Sequence, residues 1–91
     1  MISDFSAREV STGWWLFSGR VTVASTPVEG VVVTFGGDTV TLPGMTATTT
    51  SNGMFRLLVR MNLDGSDHGT ATVVCTVDGL QSNVAMANVS P

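Results

Sequence analysis

The sequence predicts an all-β chain folded as an antiparallel β-sandwich of seven to eight strands. Three observations point there. Apolar residues recur with period two over much of the chain, and the 3.6-residue period of an amphipathic helix is essentially missing. Turn signals built on Gly, Pro, Asn and Asp interrupt these runs about every 8–12 residues, the spacing of a sandwich. Val, Thr, Gly and Ser dominate, and the stiff β-branched pair suits a pleated surface.

Each element follows from that alternation. An N-terminal strand is expected near Phe5–Val10 and a clearer one over Trp14–Ala24. In the latter, Trp15, Phe17, Gly19, Val21 and Val23 share one face, so odd positions point to the core. Pro27 and Gly30 mark a turn, after which Val31, Val33 and Phe35 face inward along Val31–Phe35. Gly36-Gly37-Asp38 leads into a short strand at Thr39–Leu42, which Pro43-Gly44 ends. Thr46–Thr50 and Met54–Met61 flank Asn52-Gly53, a pair that favours a two-residue type I′ hairpin. Beyond it, Phe55, Leu57, Val59 and Met61 belong to the core, with Arg56 and Arg60 facing solvent. Asn62–Gly69 reads as a polar loop, Thr70–Val77 as a strand, Asp78-Gly79 as a tight turn and Leu80–Val89 as the last strand.

Size and charge bound the function. Ninety-one residues make one domain, 1–91, with one core, and no internal repeat divides it. Apolar residues make up 43% and charged residues 12%, which excludes the signature of disorder. The net charge of −3 lacks the basic footprint of a nucleic-acid binder; Arg8, Arg20, Arg56 and Arg60 are the only cations, too few to track a phosphate backbone. No nucleic-acid partner and no membrane insertion are therefore expected, the apolar runs being far short of the ~20 residues a spanning helix needs. The N-terminus has no basic segment followed by an apolar run, so no signal peptide is visible. Either the chain is cytosolic, or it is an excerpt of a longer protein whose export signal lies elsewhere.

Cys75 is alone and cannot form an internal disulfide; its place in Ala71–Val77 suits a small buried hydrophobe. The one histidine, His68, lies between Asp67 and Gly69, in a stretch that lacks the G-x-S-x-G order of a nucleophile elbow. Catalysis is not expected, and neither is an enzyme's cofactor. Asn62, Asp64 and Ser66 supply oxygen donors at alternate positions and Asp67 adds a second carboxylate, the donor chemistry calcium takes. The helix–loop–helix calcium motif fails, because Asp67 and Val73 stand where it wants Gly and Glu. A looser calcium site stays open beside the plainer reading of a solvated turn. Trp14 and Leu16 fall on the face opposite Trp15, with Leu58 and Val74 as candidate neighbours from other strands. They are either covered by a neighbouring segment or exposed as a binding surface for protein or glycan; a one-residue slip would exchange the two tryptophans.

Three segments carry a resemblance. Gly19-Arg20-Val21 followed by Val28-Glu29-Gly30-Val31-Val32-Val33 resembles the opening shared by carboxypeptidase-regulatory-like and collagen-adhesin B-type domains. Thr49-Thr50-Ser51-Asn52-Gly53-Met54-Phe55 is similar to their T-T-D-x-D/N-G-x-F hairpin. Asp78-Gly79-Leu80-Gln81-Ser82-Asn83-Val84-Ala85 looks like the closing motif of tandem bacterial immunoglobulin-like repeats. Together they span about residues 19–87 and resemble the immunoglobulin-like modules of large bacterial surface and secreted proteins. A departure is the absence of Lys, so the Lys–Asn isopeptide crosslink of some such modules cannot form. The resemblance implies an immunoglobulin-like sandwich, an extracellular or cell-surface location, and a non-catalytic module that spaces or presents neighbouring domains of the same chain. The alternatives are a carbohydrate- or protein-binding module using the Trp patch, or an accessory domain packed on an enzyme. Transthyretin-like sandwiches fit the same alternation.

Overall fold

The computed structural model describes residues 1–90, and the chain is all-β over that range. The described residues form nine strands: β1 (Ile2–Ser11), β2 (Trp14–Val23), β3 (Thr26–Pro27), β4 (Val32–Gly37), β5 (Thr46–Thr48), β6 (Met54–Arg60), β7 (Gly69–Val77), β8 (Leu80–Gln81) and β9 (Ala85–Val89). They form two antiparallel sheets. In sheet I, β2 pairs with β1, with β6 and, at its far end, with the short β3. In sheet II, β4 lies between β5 and β7, and β7 also pairs with β8 and β9.

The two sheets share one core. Trp15, Phe17 and Val21 from β2, Phe55 and Val59 from β6, Val33 and Phe35 from β4, and Ala71, Val73 and Cys75 from β7 are all buried. The odd-numbered face of Trp14–Val23 is thus the inner one, as the alternation predicts, and Trp15 is the inward tryptophan. Phe35 of sheet II sits 6.2 Å from Phe5, 5.9 Å from Phe17 and 6.1 Å from Phe55, all edge-on and all from sheet I. Burying each such ring contributes about 1.5–3 kcal/mol, so this aromatic cluster ties the two sheets together. Gly19 makes room for it. A Cβ there would lie 2.5 Å from the Phe55 ring, directly across the β2–β6 ladder.

Several boundaries differ from the sequence reading, each for a local reason. The first strand starts at Ile2, earlier than Phe5, because Ile2 pairs with Val21 at the end of β2. Val23 is exposed, since it sits beside the Ala24–Ser25 turn one inward position past Val21. Thr39–Leu42 is not a strand: its amides are spent on side chains, Val40 N and Thr41 N donating to Asp67 and Leu42 N to the Thr39 hydroxyl. Asn52-Gly53 does not form a two-residue type I′ hairpin. Among these two only Gly53 has positive φ (73°), Gly53 N donates to Thr50 O, and the turn carries the chain from sheet II to sheet I. The type I′ pattern of paired positive φ occurs instead at Asp78-Gly79 and, unsignalled by any Asn or Gly, at Ala24-Ser25.

The Leu80–Val89 strand is broken in two because Ser82 and Asn83 bond elsewhere. Ser82 N donates to Cys75 O and Ser82 Oγ accepts from Cys75 N. Asn83 reaches across to sheet I, accepting from Ile2 N at 2.8 Å and donating to Ile2 O at 3.1 Å. One amide side chain thereby stands in for a strand neighbour at the start of β1.

Candidate functional site

The outer face of sheet I follows directly from the register. Four successive rows of side chains cross it, read from β1 to β2 to β6. They are Ser11–Trp14–Arg60, Arg8–Leu16–Leu58, Ser6–Ser18–Arg56 and Ser3–Arg20–Met54. Directly paired residues point to the same face, and the inner face is set by buried Trp15, Phe17 and Val21, so these rows are the outer ones. Trp14 is 41% exposed and Leu58 55%, with Leu16 half-buried between them. The expected neighbour Leu58 is present in this cluster. Val74 is not, because β7 belongs to the other sheet, where Val74 pairs with Thr34.

All four arginines of the chain, Arg8, Arg20, Arg56 and Arg60, are exposed on this face, one in each row. No acidic residue occupies any of the rows. Glu9 pairs with Trp15 on the inner register and accepts from Gly13 N at 3.1 Å. Asp38, Asp64 and Asp67 lie in loops, Glu29 before β4, and Asp78 in the β7–β8 turn, while Asp4 stands in the bulge of β1 with φ 55°. Between the arginines runs a groove of about 570 Å³, lined by Arg8 and Arg56, by Leu16, Ser6 and Ser18, and by Asn52.

The outer face of sheet II is chemically different. It presents Val32, Thr34, Val74 and Thr76 along a wider groove of about 800 Å³ whose only charged lining residues are Glu29 and Asp78. That groove is the larger, yet nothing in it converges: its hydroxyls and methyls are the ordinary content of a solvated strand face.

Of the four residues with calcium-type oxygens, Asp67 and Asp64 already accept protein donors. Asp67 is fully buried and turned inward. Its Oδ1 accepts from Val40 N at 3.0 Å and Thr41 N at 2.9 Å; its Oδ2 accepts from the Thr41 hydroxyl at 2.6 Å and Asn62 N at 2.7 Å. Burial pushes the Asp67 pKa up, but the Thr41 hydroxyl and the amides of Asn62, Thr41 and Val40 together outweigh it, and the group ends below the ordinary aspartate value. Asp64 faces solvent and accepts from both the amide (3.0 Å) and the hydroxyl (2.6 Å) of Ser66, which also lower its pKa. The Asn62 side chain donates to the Thr41 hydroxyl at 3.3 Å. Thus Asp67 pins the 38–42 loop to the 62–67 loop, while Asp64 and Ser66 close a local turn. Among the described residues, no three His, Cys, Asp or Glu side chains gather as a metal site would need. His68 is exposed, its backbone amide bonded to Gly65 O. Cys75 is buried in β7, where the alternation puts it.

Sequence reasoning found Trp14 and Leu16 but not the arginines as a group. The signal was available only as parity: Arg20 alternates with the core of β2, and Arg56 and Arg60 with that of β6. Which strands lie side by side, and hence that the arginines share a face, is a matter of pairing. Comparison with family models, with curated proteins and with solved structures gives no match.

Proposed function

We propose that this chain is a non-catalytic, immunoglobulin-like interaction module of a larger exported bacterial protein, docking through the outer face of sheet I. The observation that carries the docking reading is the exposed Trp14–Leu16–Leu58 cluster at one end of that face. A large indole left in water beside two leucines costs apolar hydration that a bound partner would relieve.

The strand order supports the immunoglobulin-like part of the reading. Setting aside the two-residue β3 and β8, sheet I runs β1-β2-β6 and sheet II runs β5-β4-β7-β9. In letter order that is ABE facing C′CFG, a two-sheet arrangement of the kind immunoglobulin-like domains share. Its elongated shape, 40 × 21 × 17 Å, supports a spacing role alongside docking. Ile2 pairs at the end of β2 that carries the Ala24–Ser25 turn, and Val89 pairs with Gly69 beside the loops of the other end. Tandem modules joined through those ends would therefore stack lengthwise. The exported, bacterial setting rests on the three sequence motifs, which are turn chemistry shared with surface-protein modules.

The test is a nitrogen–proton NMR titration of the 91-residue chain with dextran, polygalacturonate and poly-L-glutamate. Docking at this face predicts saturable shifts of the Trp14 indole and of outer-row amides for at least one of them, with the Trp15 indole unmoved. A face silent to every probe overturns docking and leaves spacing alone.

A further inference from the structure

We propose that the outer face of sheet I is a binding strip for an acidic linear polysaccharide, a glycan carrying carboxylate or sulfate groups. The proposal rests on the docking reading above and names the chemistry of its ligand.

Charge placement is the first argument. The chain is net negative, −3, yet every arginine it has stands on one face of one sheet, in four consecutive rows. Side chains on one face of a strand repeat about every 6.7 Å, so the four arginines cover a strip roughly 20 Å long. Their guanidinium forks match carboxylate and sulfate oxygens in two-point contacts, which a lysine's point charge would not. With no acid in those rows, the forks face outward unneutralised by any cross-strand neighbour.

The shape and the neighbours of the arginines select the ligand class. The groove between Arg8 and Arg56 lies on an exposed sheet face, which suits a segment of polymer better than an enclosed small molecule. Ser6, Ser18 and Asn52 line it with hydrogen-bond donors and acceptors of the kind sugar hydroxyls pair with. Beside the groove, Trp14 with Leu16 and Leu58 offers apolar surface to the C–H face of a pyranose. An acidic protein fits less well. A close-packed protein interface would bury an arginine in each row, and the desolvation of each must be matched by an aligned carboxylate. A glycan leaves the guanidinium groups partly wet. Single-stranded nucleic acid fits less well again, since the strip has one aromatic platform and not a succession of them.

The decisive experiment measures the affinity of the chain for polygalacturonate, chondroitin sulfate, dextran, poly-L-glutamate and oligo-dT by calorimetry, with NMR to locate each contact. Polygalacturonate and chondroitin sulfate are expected to bind with shifts at Trp14 and in all four rows. Raising NaCl from 50 to 200 mM should weaken them roughly 20–50-fold, as release of counter-ions by three or four charge contacts requires. The double variant Arg8→Gln/Arg56→Gln, altered only at exposed positions, should keep its urea midpoint and lose about a hundredfold in affinity, about tenfold for each of the two charge-assisted contacts removed. Dextran binding as tightly, without salt dependence, overturns the acidic ligand and leaves the docking face standing. Poly-L-glutamate or oligo-dT binding more tightly than both acidic glycans overturns the glycan class and again leaves the face. Acidic glycans that bind with no shift at these rows, or that fail to bind, overturn the proposal; a face silent to every probe overturns the docking reading as well.

Discussion

Four hydrogen bonds converge on the buried carboxylate of Asp67, and they tie together two loops that share no strand pairing. Replacing it with Asn keeps the shape but turns an NH2 toward groups that are themselves donors. Asp67→Asn is expected to cost about 2–3 kcal/mol in urea unfolding, the range for a hydrogen-bonded buried charge. The folded carboxyl titrates below the unfolded one, so its stabilisation is complete above the unfolded value of about 3.9 and fades as pH falls through the folded value. Urea midpoints measured from pH 6 down to pH 2 should therefore fall less steeply in the variant; equal slopes would deny Asp67 this role. Trp15 presents the opposite case, its buried Nε1 having no hydrogen-bond partner among the described residues. Trp15→Phe removes that orphan donor together with some ring contact, and the two effects offset. A loss under about 1.5 kcal/mol is expected, and a loss of 3 or more would show that the indole nitrogen is satisfied.

Within β2, Gly19 lies across the ladder from Phe55, whose ring occupies the space a side chain would take. The ring is fully buried against Phe5 and Phe35 and has nowhere to go. Gly19→Ala should destabilise by about 1–3 kcal/mol, the usual range for overpacking, although alanine suits a strand better than glycine. The hairpin from β2 to β3 is strained in a different way. Ala24 and Ser25 both hold positive φ, 50° and 68°, where side chains are disfavoured. Ala24→Asn/Ser25→Gly supplies the residues this turn prefers and should stabilise the chain by about 1 kcal/mol, read as a raised urea midpoint. No gain would mean the turn relaxes to another geometry in solution.

Across the whole molecule, the sheets are held by the Phe35 cluster in the middle and by Asn83 at one end. Asn83→Ala breaks both of its bonds to Ile2, leaving the start of β1 held by its pairing with β2 and by the buried Ile2 side chain. A cost of about 1–2 kcal/mol is expected, with amide exchange accelerated at the beginning of β1 and unchanged in β7. Uniformly faster exchange would mean that the clamp supports the global fold and not one strand. The same scale separates the surfaces. One outer face carries every arginine, the other presents threonine and valine, and the acids sit mostly in the turns and loops.

Local chemistry made much of this legible in the sequence. Period-two alternation separated inner from outer residues on β2, β4 and β6, because a strand's geometry fixes that parity without reference to its neighbours. It therefore found Trp15, Phe17, Val33, Phe35 and Phe55 for the core and left Trp14 and Leu16 outside. Where side chains outcompete the ladder for backbone groups, the same reasoning failed: Asp67 took the amides of the expected 39–42 strand, and Ser82 with Asn83 broke the last one. Such contacts join residues distant in the chain, and an isolated Asp in a polar run gives no sign of being buried. The arginine strip is of the same kind. Parity sent Arg20, Arg56 and Arg60 outward, but only the pairing of β1 and β6 on either side of β2 brought all four arginines onto one face.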